Sequence, residues 1–139
     1  MIIQIAVGNT KFDITKTVQY WIEGAEYDLG VADALYQTRK YPYALFMGHL
    51  ALEKILKALF VQTTHNHAPH THSLVLLASK QKVKIPNRML KQLARFMEFY
   101  FEARYPENQK KFYKKCTARF TSEKLAEVKE VFAWLRKKL

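Results

Sequence analysis

The side chains best placed to do chemistry interrupt the most apolar stretch of the chain. Within Tyr41 to Phe60, YPYALFMGHLALEKILKALF, the residues His49, Glu53 and Lys57 recur every fourth position. On a helix they stack on one face, and Lys54 borders it. Phe46 and Leu50 fall inside the same arc. A stripe that mixes charge with large apolar groups suits a wet cleft or a subunit interface; the alternative is a few exposed charges on a core helix. Both readings stay open on the sequence. A second charge stands out at Arg104, i+4 from Tyr100 and i+7 from Met97, on the apolar side of its own helix. A guanidinium there needs an acid, a phosphate or water. Glu53 is the expected acid. A phosphate is the expected competitor, because a guanidinium grips either group bidentately.

The remaining reactive residues carry weaker signals. The loop TTHNHAPHTH holds His65, His67, His70 and His72, and His-rich tracts can bind zinc. It has no thiolate or acidic companion, so a solvated loop is the expectation and no metal is assigned. His72 differs from the others because it begins a helix. Cys116 lies among Lys114, Lys115 and Arg119, which would favour its thiolate, but no base is placed beside it. No Gly-rich phosphate loop, no G-x-S-x-G and no carboxylate pair with ligand spacing is present. The sequence therefore shows no complete catalytic set.

Composition narrows the classes. At 139 residues, 49% hydrophobic and 14% aromatic, the chain suits one domain with a full core, and disorder is not expected. One cysteine forbids an internal disulfide and agrees with a reducing compartment. No run of about 18 uncharged apolar residues exists, so no spanning helix is expected. The N-terminus lacks the basic region and cleavage site of a secretion signal. A cytoplasmic location follows as an expectation. The net charge of +11 favours anionic partners: nucleic acid, nucleotides or an acidic protein.

The elements that must position these residues are helical. IIQIAV (residues 2–7) reads as a short strand or an extended arm. Asp13 is a plausible N-cap for a first helix whose apolar positions run from Ile14 through Val18, Trp21, Ala25 and Ala32 to Tyr36. Pro42 forces that helix to end near Arg39, and the short connection makes the central helix antiparallel to it. After the histidine loop, SLVLLAS predicts a short helix capped around Thr71 to Ser73. The next helix is predicted from Asn87 to about Arg104, with Leu90 on its inner face and Gln92 facing out. Residues 105–120, basic and aromatic, read as loop with at most one helical turn. They either bind single-stranded nucleic acid or close the core with their rings. Thr121 or Ser122 is expected to cap the last helix.

Several of these residues together resemble the prokaryotic HEPN family. They are Trp21, Ala25, Asp28-Leu29, Ala32 and Leu35 on the first helix, HLALEKILKAL from His49 to Leu59, His72-Ser73-Leu74, and Ala103-Arg104-Tyr105-Pro106-Glu107. The resemblance runs from residue 14 to residue 138. It implies an up-and-down bundle of about five helices, a four-helix core plus a short one, usually assembled as a homodimer. Many members are ribonucleases, often toxins paired with a minimal nucleotidyltransferase as antitoxin; others are nucleotide- or RNA-binding modules. The nuclease members carry an Arg and a His separated by four to six residues, commonly with a polar residue after the Arg. Here Arg104 takes the Arg position, Tyr105 replaces the polar residue, and no His follows His72. A general base contributes about 10²–10⁴ in rate, so its loss argues against an efficient nuclease of the usual type.

The sequence thus predicts an all-α, single HEPN-like domain over residues 1–139, with 1–13 as an N-terminal arm. The expected function is noncatalytic binding of nucleotide or RNA by His49, Glu53, Lys54, Lys57, Arg104 and Tyr105, with no catalytic residue, no cofactor and no membrane. The expected partners are a second copy of the chain and a minimal nucleotidyltransferase, in a toxin–antitoxin-like pair. One alternative is a ribonuclease toxin with a rearranged site; the other is a structural dimer that docks an acidic protein.

Overall fold

The computed structural model describes residues 12–100 and 105–139. Arg104 and nearly all of the N-terminal arm lie outside them. The described residues are helical throughout, with six α-helices: α1 (Ile14–Gln37), α2 (Tyr41–Thr64), α3 (Leu74–Ser79), α4 (Asn87–Phe96), α5 (Pro106–Lys115) and α6 (Ala118–Arg136). A 3₁₀ turn, Met97–Phe99, continues from α4. None of these helices is long and apolar enough to cross a membrane.

Local chemistry sets the boundaries of α1 and α2. The Asp13 carboxylate accepts from the Lys16 N–H at 3.0 Å, which satisfies one of the amides that every helix start leaves open. Arg39 turns the chain with φ of 63°, and Pro42 then sits in the first turn of α2, where a missing N–H costs nothing. The short connection between the helices forces them antiparallel. Ala25 and Ala32 of α1, and Ala44, Ala51 and Ala58 of α2, have no exposed surface, so small side chains recur every seventh position on both helices.

The centre of the domain is α2, as expected for a helix apolar nearly all round. It packs against α1, α3, α5, α6 and the 3₁₀ turn. A Cβ built at Gly48 would lie 3.4 Å from Val128 Cγ1 and 3.6 Å from Leu125 Cδ2. Glycine therefore lets α6 cross α2 closely at that point.

Several expectations fail in the C-terminal half. The helix from Asn87 stops at Phe96 rather than near Arg104. Tightening to the 3₁₀ turn brings Phe96 and Phe99, three apart, both into the core, with ring centroids 5.5 Å apart. On α4 Leu90 is exposed and Gln92 is buried, the reverse of what periodicity predicts. Gln92 is tolerated inside because its amide reaches Glu127 and Glu130 of α6, each at 3.4 Å. Residues 106–115, where the sequence suggests loop, form α5. Its signals are ordinary ones: Pro106 at the start, Glu107 in the first turn, Lys114 and Lys115 in the last. Phe112 is its buried anchor, against Phe99. Finally, α6 begins earlier than expected, because Thr117 and not Thr121 or Ser122 is the cap, its hydroxyl accepting from the Phe120 N–H at 3.1 Å.

Candidate functional site

Glu53 organises the site. It lies on α2 with its side chain 5% exposed, and an isolated carboxylate at that depth is costly unless paired. His72 Nδ1 lies 3.1 Å from one of its oxygens and 3.2 Å from the other. Lys57 Nζ donates to Oε2 at 3.2 Å from one turn further along α2. His49 Nδ1, one turn before, is 3.9 Å from Oε1. Three nitrogen-bearing side chains thus converge on one carboxylate. Because an ionised carboxylate only accepts, Nδ1 of His72 carries the proton, and in the neutral ring Nε2 is left as an acceptor.

The two histidines differ sharply in surroundings. His72 has 57% of its side chain exposed, so the Glu53 cluster opens to the surface through it. Its ring stacks on Tyr100 with centroids 4.9 Å apart. His49 is fully buried under the same Tyr100, at 5.0 Å. Burial pushes its pKa down to about 4, with the His72 charge adding to the shift and a backbone contact to His72 opposing it. His49 is therefore neutral at pH 7. Phe46 closes the upper side, 5.6 Å from the Tyr100 ring.

Of the residues singled out in the sequence, His49, Glu53 and Lys57 come together here. Lys54 does not. It turns onto the buried Asp28 of α1 at 2.7 Å, where Gly24 makes room for its stem. Tyr105, at the start of α5, is 76% exposed and has no contact with the cluster among the described residues. Arg104 lies outside those residues. Two members of the cluster are not assigned to it by the sequence. His72 is 19 positions from Glu53, and its sequence signals, its place at the start of α3 and in the His72-Ser73-Leu74 stretch of the resemblance, do not link it to Glu53. Tyr100 has the spacing of an inner-face residue and carries no sign of contact with a histidine. A third neighbour is Trp21 of α1, whose ring lies 5.2 Å from Lys57 Nζ.

The other histidines of the loop diverge. His65 ends α2 with φ of 60°, and His67 packs its ring on Phe12 at 3.9 Å. Among the described residues no group of three His, Cys, Asp or Glu has the geometry to hold a metal. Cys116 is buried where α5 ends.

The HEPN domain family matches residues 18–138, from the second turn of α1 past the end of α6. The chain belongs to the HEPN domain family. Membership ties it, in general terms, to nucleotide- or RNA-related function. No curated protein matches the chain. Among solved structures, this HEPN bundle is similar to that in the crystal structure of TT1696 from Thermus thermophilus. The TM-score is 0.74 at 22% identity, and the match covers 88% of this chain and 98% of that one. At that identity the likeness shows the fold.

Proposed function

We propose that the chain is a nucleotide- or RNA-binding HEPN protein that recognises phosphate at the mouth of the Glu53 cleft. The observation that supports it is a half-exposed His72 held in fixed orientation by a buried Glu53 that also holds Lys57. Side chains ordered by a carboxylate lose little entropy when an anion arrives, so the site is preorganised. Lys110, Lys111 and Lys114 on α5 are exposed and add to a net charge of +11, which steers polyanions. In this reading Arg104 joins the phosphate contacts, the protein acts as a homodimer, and it pairs with a minimal nucleotidyltransferase in a toxin–antitoxin-like system. Phe46 lies in the polar arc of α2 and is only half-buried, which suits an interface between copies.

Titration of labelled single-stranded RNA at two salt concentrations tests this. Wild-type binding should weaken with salt by about 0.7 in log affinity per phosphate for each unit of log salt. Arg104→Ala and His72→Ala should each remove most of the binding while light scattering still reports twice the monomer mass. Equal affinity of the wild type and both variants rules out the cleft. A wild-type monomer rules out the dimer.

The His72–Glu53 pair favours one second reading, a ribonuclease with a rearranged site. A carboxylate that fixes Nδ1 leaves Nε2 free to take a proton from a ribose 2′-hydroxyl. The 2′-oxygen would then bond to the adjacent phosphorus as the bond to the 5′-oxygen breaks, and that oxygen takes a proton from solvent. Cleavage of RNA to 2′,3′-cyclic phosphate ends by wild type, lost in His72→Ala, would establish this reading over simple binding.

A further inference from the structure

On the far side of Lys57 lie two adjoining cavities that share Tyr20 and Trp21. One, of about 490 Å³, runs between α1 and the histidine loop and is lined by Thr17, Tyr20, Trp21, Lys57, Pro69 and His70 among others. The second, of about 290 Å³, continues along α1 past Gly24 to Lys54. A Cβ at Gly24 would come within 3.3 Å of the Lys54 stem, so glycine keeps this floor open. Tyr20 is 68% exposed and stands edge-on to Trp21, ring centroids 5.3 Å apart. The exposed phenol, the half-buried indole that packs against the core, and the ammonium groups of Lys54 and Lys57, each paired with a buried carboxylate, form one surface. It has the composition of a stacking platform for bases with cations for the intervening phosphates.

Lys57 joins this groove to the cleft. Its ammonium is 3.2 Å from Glu53 and 5.2 Å from the Trp21 ring centre, so a single side chain borders both. We infer that the α1 groove is a base-stacking subsite, and that the ligand is a single-stranded oligonucleotide whose neighbouring base packs on Tyr20 and Trp21. The inference rests on the phosphate-binding reading of the cleft and adds to it a preference for strands over mononucleotides. A peptide ligand is less suited, because the groove offers flat aromatic faces beside Lys54 and Lys57, and Glu23 is the acid among its described lining residues.

The chain has two tryptophans, Trp21 and Trp134, so Trp134→Phe leaves Trp21 as the sole indole reporter. In that background a single-stranded oligoadenylate should quench the Trp21 emission, and inorganic tripolyphosphate, which carries charge and no base, should not. Tyr20→Ala should weaken oligoadenylate binding at least about fivefold with an unchanged salt slope, since stacking and charge are separate contributions. Tyr20→Phe should restore it. Tyr20 is exposed, so its variants test the groove without endangering the fold. If Tyr20→Ala binds oligoadenylate as tightly as its parent, or tripolyphosphate quenches equally, the subsite is wrong while the phosphate cleft stands. If the parent binds no RNA at any salt, both fall together.

Discussion

Acidification offers a direct test of how His49 is held. The residue has no exposed surface, and its pKa lies at about 4 in the folded state against an ordinary value of 6.5. The unfolded chain therefore binds more protons than the folded one between those two values, and stability must rise with pH across that window. The contribution is fully present above about 6.5, falls as the pH drops, and levels off below about 4. A full shift of this size corresponds to about 3 kcal/mol, and at pH 5 roughly 2 kcal/mol of it is gone. For a domain of this length that is a drop in Tm on the order of 6–10 °C. His49→Leu keeps a comparable volume and cannot titrate. Thermal unfolding of both proteins at pH 7.5 and pH 5, followed by circular dichroism, isolates the His49 share because all other histidines are common to both. The wild type should lose several degrees more than His49→Leu on going to pH 5. Identical losses would refute the reasoning and show that water or a partner reaches the ring.

Glu53→Leu strands the Lys57 ammonium, which is 9% exposed, and should cost about 3 kcal/mol in urea unfolding. The double variant Glu53→Leu with Lys57→Met should recover most of that loss, and failure to do so would mean that the pair is not the origin of the cost. At the start of α6, Thr117→Ala should destabilise by about 1 kcal/mol, whereas Ser122→Ala should leave the same urea midpoint unchanged. A larger effect at Ser122 would move the cap back to the position that the sequence suggests.

The bundle is legible in the sequence wherever one signal stands unopposed. The Asp13 cap, the apolar steps of three and four, the Pro42 break and the short connection specify α1, α2 and their antiparallel packing, because those are local rules. The clustering of His49, Glu53 and Lys57 is legible for the same reason, since positions four apart on any helix must stack. Where signals compete, tertiary contacts choose between them. The sequence points to Thr121 or Ser122 as the cap, and Thr117 takes that place because the chain resumes its helix directly after Cys116. Gln92 looks like a surface residue until Glu127 and Glu130 of another helix supply its partners. The dense charge of α5 obscures an ordinary helix that is anchored by one buried ring, Phe112. The site itself shows the limit most clearly. His72, Tyr100 and Trp21 stand at the start of a short helix, after a 3₁₀ turn and on the face of α1, and no periodicity relates them to Glu53. Only the packing of α1, the histidine loop and the 3₁₀ turn around α2 brings them there, because a buried carboxylate draws its partners from whatever the fold places within reach.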